Sequence, residues 1–267
     1  MGSMHVYPSA GPSVEPPPGT DTDTDVTGHQ DRRAVFFFDI DNCLYAKSRK
    51  VHDHMARLIN QYFTTHLDVT AEEATHLHQK YYQDYGLAIE GLARFHKIDP
   101  LDFNREVDDA LPLDELLEPH PETRALLQRF DPAKVKLWLF TNAHVTHGRR
   151  VVRLLGIDDL FEGITYCDYA RVPLVPKPLP DMFAKAEREA GVSVHTPAVY
   201  FVDDSFLNCR AAYARGWTNT VHLVEKGVPE PAEKASKYQI SHLSQLLDLF
   251  PELLKTDTEE MGLLKEG

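Results

Sequence analysis

The sequence predicts an α/β protein: a parallel sheet core whose first strand is followed by an all-helical insertion. Three observations carry this. Val35-Phe36-Phe37-Phe38 is an apolar run, β-branched and aromatic, that stops abruptly at Asp39 and Asp41. Such a run reads as a strand buried on both faces, as in a parallel sheet covered by helices. From about residue 50 to 117 the apolar residues recur only at helical spacing. From Val135 onward, short apolar runs alternate with helical stretches, the rhythm of right-handed βαβ units.

The elements follow in order. Residues 1–33 are rich in Pro, Gly, Ser, Thr and Asp (Glu15-Pro16-Pro17-Pro18-Gly19, Asp21-Thr22-Asp23-Thr24-Asp25) and have little to bury, which predicts a disordered tail. The first strand comes next. In the insertion, Leu58, Ile59, Tyr62 and Phe63 recur at helical spacing, as do Leu77, Tyr81, Tyr82 and Tyr85. Thr70 with Glu73 predicts a capping box, and Gly86 a break between helices. Strands are then expected at Val135–Phe140, 164–167, 198–202 and 220–224. Helices are expected from His144 to near Gly156, from Pro180 to Gly191, and after Asp204 to near Gly216. A last amphipathic helix is expected over 241–254. The partition is a tail over 1–33, a core over 34–48 and 120–257, and a helical cap over 49–119.

The chain has 267 residues, is 42% hydrophobic, and carries a net charge of -13. That is enough apolar material for a substantial core, and the charge argues against a nucleic-acid groove. It does not argue against a phosphate ester, because a bound divalent cation inverts the local field. Three widely spaced cysteines (Cys43, Cys167, Cys209) without a CxxC pair predict free thiols in a reducing compartment. No run is long and apolar enough for a bilayer. The expectation is a cytoplasmic or nuclear protein with no membrane and no nucleic-acid polymer as partner.

Polar residues end three of the predicted strands: Asp39 and Asp41, Thr141 and Asn142, Asp203 and Asp204. Ligands of open α/β sheets bind outside these carboxyl ends. Unpaired carboxylates there must meet water or a cation. Lys177, in the loop Val175-Pro176-Lys177-Pro178, could join the same crevice. Together these residues offer a nucleophilic carboxylate, a second carboxyl for proton transfer, oxygen ligands for a hard cation such as Mg²⁺, and donors for a phosphate.

Asp39-Ile40-Asp41-Asn42-Cys43-Leu44, Thr141, Lys177 and Val202-Asp203-Asp204-Ser205 with Asn208 resemble, in this order, the four motifs of the haloacid dehalogenase superfamily. The helical insertion resembles that superfamily's C1-type cap on a Rossmann-like core. Phe36 to Tyr45, Tyr81-Tyr82, Tyr85-Gly86-Leu87-Ala88-Ile89, Leu137-Trp138-Leu139-Phe140-Thr141-Asn142-Ala143, and Thr165-Tyr166-Cys167-Asp168-Tyr169 are similar to the fungal pyrimidine 5′-nucleotidases. Pro178-Leu179-Pro180 departs from the pattern, which often has a polar residue soon after the lysine.

The resemblance implies roles. Asp39 attacks phosphorus. Asp41 protonates the leaving oxygen and then deprotonates water. Mg²⁺ is held by Asp39, the Asp41 carbonyl and Asp204. Asp203 stands behind the ligands, and Asn208 braces the metal site or Lys177. Thr141, the Asn142 amide and Lys177 hold phosphoryl oxygens. The implied substrate is a nucleoside 5′-monophosphate, with UMP and CMP preferred. Lysophosphatidic acid, nicotinamide mononucleotide or a sugar phosphate are the alternatives, and a non-catalytic binding protein is a further one. Tyr81, Tyr82 and Tyr85 could stack on a base, Tyr81 and Tyr85 being the chosen cap candidates, with packing inside the cap as the competing and commoner reading. His52, His54, His76 and His78 do not share a helical face suited to one metal and read as surface residues.

Overall fold

The computed structural model describes residues 31–193 and 195–256. Every element below belongs to the unit that begins at Arg32. The expected tail lies outside the described residues up to position 30. Of its last residues, Arg33 donates to both carboxylate oxygens of Glu162 (2.5 and 2.9 Å) and to the Pro132 carbonyl.

Six strands form one parallel sheet: β1 (Ala34–Phe38), β2 (Val135–Phe140), β3 (Gly163–Thr165), β4 (Val199–Asp203), β5 (Asn219–Leu223) and β6 (Tyr238–Ile240). Their order is β3-β2-β1-β4-β5-β6, so β1 is central and the chain reverses direction across the sheet on either side of it. That reversal opens a crevice at the carboxyl end of β1.

Side chains of a strand alternate between faces, and β1 shows it. Phe36 and Phe38 pack with Leu126, Leu127, Val151 and Val152 of α6 (Pro121–Gln128) and α7 (Val145–Leu154). Val35 and Phe37 pack on the other face with Met182, Phe183 and Ala186 of α8 (Pro180–Glu189). There Phe37 stacks on Trp217 at 4.9 Å. α9 (Phe206–Ala214) follows β4 and places Ala212 in the same cluster.

The insertion is helical, as predicted: α1 (Val51–His66), α2 (Ala71–Tyr85), α3 (Ala88–His96), α4 (Pro100–Glu106) and α5 (Leu113–Leu116). Thr70 and Glu73 form the expected capping box on α2. The insertion's apolar cluster runs from Ile59 to Val107 and takes in Cys167, Tyr169 and Leu174 from beyond β3. Leu111, Leu113 and Leu117, past that point, pack into the cluster under the sheet instead.

Two elements differ from the sequence-based expectation. β6 is a three-residue edge strand with no apolar run to announce it. The helix expected over 241–254 is broken: a 3₁₀ turn at Leu243–Gln245, α10 (Leu246–Leu249) and another 3₁₀ turn at Pro251–Leu253. Pro251 lacks an N–H and blocks continuation of the helix, and Phe250 before it turns out of helical geometry (φ -133°, ψ 55°). Among the described residues no helix is long and apolar enough to cross a membrane.

Candidate active site

The carboxyl ends of β1, β2 and β4 converge on one buried ammonium. Lys177 Nζ donates to Asp39 Oδ1 (2.8 Å), Asp203 Oδ2 (2.7 Å) and the Phe140 carbonyl (2.6 Å). It sits over the Phe140 and Phe201 rings and is 1% exposed. Burial alone would strip its proton. The Asp203 and Asp39 carboxylates outweigh that and raise its pKa, so it stays charged.

The loop that presents Lys177 is held from two sides. Asn142 Oδ1 accepts from the Lys177 N–H (2.6 Å), and Asn142 Nδ2 donates to the Lys177 carbonyl (2.9 Å). From the insertion, Gly86 ends α2 with φ +74° directly against the loop; a Cβ there would lie 2.9 Å from the Lys177 carbonyl oxygen. Glycine is thus needed for its backbone angle and for the close approach. On α3, buried Glu90 accepts from the Leu174 N–H (3.1 Å).

Asp39, Asp203 and Asp204 each offer a carboxylate oxygen, all within 4.8 Å of one another. Burial, and repulsion from the other two against the pull of Lys177, push Asp39 well above the ordinary carboxylate range. Burial and Asp203 bring Asp204 up to about 6, although Lys47 Nζ pairs with it at 2.9 Å. Three crowded carboxylates against two ammonium groups leave a deficit of positive charge, and all the donors are oxygen. That set fits a hard divalent cation.

Asp203 is the most fully engaged of the three. Besides Lys177 it accepts from Asn208 Nδ2 (3.2 and 3.1 Å) and the Ser205 N–H (2.7 Å). Asp39 and Asp204 have more capacity left for a cation. Thr141 is buried, and its hydroxyl oxygen accepts from the Ala143 N–H (3.0 Å), leaving its O–H to donate. The Asn142 side-chain amide is engaged with the Lys177 backbone, which leaves the Asn142 main-chain N–H as the amide that could hold phosphate.

A family model for haloacid dehalogenase-like hydrolases matches residues 34–214. The chain belongs to this family. Phosphate metabolism protein 8 of Saccharomyces cerevisiae is 39% identical over 249 residues, 88% of this chain and 75% of that protein. Two solved structures show the fold. One is a HAD phosphatase from Thermococcus onnurineus (TM-score 0.55, 20% identity, 82% of this chain and 97% of that one). The other is the L-2-haloacid dehalogenase of Xanthobacter autotrophicus (TM-score 0.51, 18% identity, 83% and 99%). A phosphatase and a dehalogenase share this fold, so in a haloacid dehalogenase-like hydrolase the residues must decide the reaction.

The structure adds residues to the hydrolase site that sequence reasoning missed. Asp41 accepts at Oδ1 from the Tyr45 hydroxyl (2.6 Å) and pairs there with His147 Nε2 (2.8 Å). Burial would raise the Asp41 pKa. The His147 charge and the two hydrogen bonds outweigh it and hold the carboxyl below its ordinary value. His147 is fully buried, which favours its neutral form, yet Asp41 pushes it up to about 9. No spacing rule singles out Tyr45, Lys47 or His147.

The cap tyrosines divide between packing and exposure. Tyr81 is buried in the cap cluster, stacked on Phe95 and bonded to His96 Nε2 (2.7 Å), and Tyr85 packs beside it. The neighbour Tyr82, turned about 100° around the helix, is the one near the carboxylates. Its ring is half exposed, but its pKa is raised to about 12, first by local burial and then by Asp204, Asp203 and Asp39. Its hydroxyl is thus within electrostatic reach of those three carboxylates.

Proposed function

We propose that this hydrolase cleaves phosphate monoesters with Mg²⁺ through a phosphorylated Asp39, and that its substrates are nucleoside 5′-monophosphates, pyrimidine nucleotides first. The observation that carries the reaction class is the pairing of two differently held carboxylates at the end of β1. Asp39 lies buried against Lys177, and Asp41 is tied at a single oxygen two residues on. A departing halide needs no proton, whereas a departing alkoxide does, and Asp41 is placed to give one.

In this reading the Asp41 carboxylate, charged in the free chain, takes up a proton from water as the phosphate dianion enters beside it; an Asp39 oxygen then attacks phosphorus, the ester P–O bond breaks, and Asp41 passes that proton to the departing oxygen. Asp41 then takes a proton from water, which attacks the aspartyl-phosphate and releases Asp39 and inorganic phosphate. Lys177, the Thr141 hydroxyl and the Asn142 N–H hold the phosphoryl oxygens. Asp39, the Asp41 carbonyl and Asp204 would hold Mg²⁺, which offsets charge on the phosphoryl group.

The preference for pyrimidine nucleotides is supported by the resemblance of β1, α2 and β2 to the fungal nucleotidases. Tyr82 is the aromatic residue available to a base. Phosphate release from UMP and CMP with Mg²⁺, ranked by kcat/KM against lysophosphatidic acid, nicotinamide mononucleotide and sugar phosphates, tests it. The pyrimidine nucleotides are expected to lead. Another ester in the lead would overturn the substrate, and no phosphate release from any of them would overturn the reaction.

The metal makes a separate prediction. In the metal-free chain, Asp39 and Asp204 have raised pKa values. They therefore contribute stability at low pH that is lost as pH rises through about 6, the Asp204 value. Mg²⁺ should restore it. At a concentration about 100 times Kd, the cation stabilises by about 2.7 kcal/mol, a Tm rise of roughly 5–10 °C. The rise is expected at pH 7.5 and should shrink toward pH 5, where protons compete. Thermal unfolding with Mg²⁺ or EDTA at both pH values measures it; an equal rise at pH 5 would contradict the assignment.

A further inference from the structure

The Asp41 carboxylate is asymmetric in its surroundings. Both of its hydrogen bonds, from Tyr45 and from His147, arrive at Oδ1. Oδ2 has no partner among the described residues, and the side chain is 29% exposed, while that of His147 is fully buried. One oxygen is anchored to the interior and the other is left to face the crevice. A carboxyl that must protonate one oxygen and later deprotonate a water on the same side needs this fixed orientation, since a rotamer change would carry the proton out of reach.

We propose that His147 and Tyr45 are positioning residues that lock Asp41 through Oδ1, so that Oδ2 is the atom presenting the proton to the leaving oxygen. This rests on the reading of Asp41 as the proton donor.

His147 is well placed for the task. It lies on the first turns of α7, and that helix is gripped by the segment returning from the cap. Thr146 Oγ1 donates to Asp109 Oδ1 (3.3 Å), and Arg150 donates to the Leu111 carbonyl (3.0 Å) and pairs with Asp114. His147 Nδ1 and the buried Asp108 Oδ2 have no hydrogen-bond partner among the described residues. Asp108 lies on the same return segment, between Val107 of the cap cluster and Leu111 of the sheet cluster. Burial and the nearby Asp41 bring Asp108 up to about 7, partly countered by His147, so its charge reaches this ring. The Asp41 anchor is thus seated where the cap joins the core.

The test uses two esters that differ in their need for a proton, assayed with Mg²⁺ and the full chain. Phenyl phosphate expels a basic phenoxide; 2,4-dinitrophenyl phosphate expels an ion that leaves unprotonated. kcat/KM reports steps through phosphorylation of Asp39, so it isolates proton delivery. For His147→Gln it should fall about 30-fold on phenyl phosphate and stay within about 3-fold on the dinitrophenyl ester. Tyr45→Phe should show the same split at about 10-fold, and it carries the test if His147→Gln does not fold.

Equal losses on both esters would mean that the two side chains only support the fold, and unchanged kcat/KM on both would mean that they do nothing for Asp41. Either result overturns the inference while leaving the phosphatase reading intact. A native chain that releases phosphate from neither aryl ester, nor from UMP or CMP, overturns both.

Discussion

Asp39→Asn is expected to abolish turnover, by about 10⁴-fold or more as for other nucleophile deletions, without destabilising the metal-free chain. The two effects have one cause. The pKa of Asp39 is raised because burial and two neighbouring carboxylates penalise its charge. An isosteric amide keeps an oxygen for Lys177 Nζ, now at 2.8 Å from Oδ1, and removes the repulsion with Asp203 and Asp204. Tm without Mg²⁺ should therefore stay level or rise, by an amount worth about 1 kcal/mol. The gain should appear at neutral pH and vanish in acid, where Asp39 is protonated anyway. Phosphate release and thermal unfolding of the same preparation check it. Retained turnover would remove Asp39 as the nucleophile, and a large fall in Tm would make it a structural residue.

Lys177→Met is expected to cost both activity and stability. Removing one partner of a buried ion pair typically costs about 3–5 kcal/mol. Here the lost ammonium bridges two carboxylates and the Phe140 carbonyl. Asp203, 1% exposed, would keep only Asn208 and the Ser205 N–H. The destabilisation should be largest near pH 7.5 and smaller near pH 5, because protonation of the stranded carboxylates relieves it. Adding Asp203→Asn should recover part of the lost stability, a non-additivity expected only if the two groups interact directly. Denaturant unfolding of the single and double variants measures it. Strictly additive losses would show that Lys177 stabilises the chain by some other route.

The local signals in the sequence were strong where one residue's chemistry or one element's period sufficed. Val35 to Phe38 had to be a doubly buried strand, and its alternation splits the core into two clusters. Thr70 with Glu73 had to begin a helix, and Pro180 did begin one. Elements held by neighbours rather than by their own pattern gave weaker signals. β6 exists because β5 offers it an edge, and the stretch over 241–254 follows the sheet's rim in short turns.

The same division holds at the site. Asp39, Asp41, Thr141, Lys177, Asp203 and Asp204 were identifiable because each ends a strand or sits in the loop expected to reach the crevice. Tyr45, Lys47 and His147 were not. Periodicity says which residues of a helix share a face, but not which face the rest of the molecule will cover. It put Tyr81, Tyr82 and Tyr85 in one set and could not tell that Tyr81 turns inward while Tyr82 stays half exposed.

The sequence by itself determined the parallel sheet, the helical insertion and the acidic strand ends, because burial of apolar side chains and backbone geometry are decided within a few residues. Only the tertiary structure decided that Lys177 is wedged between Asp39 and Asp203, that the Asn142 amide serves the lysine loop, and that a histidine more than a hundred residues away holds Asp41. Those contacts depend on how helices settle on the sheet, and charges that distant in the chain affect each other only once folding has excluded the water between them.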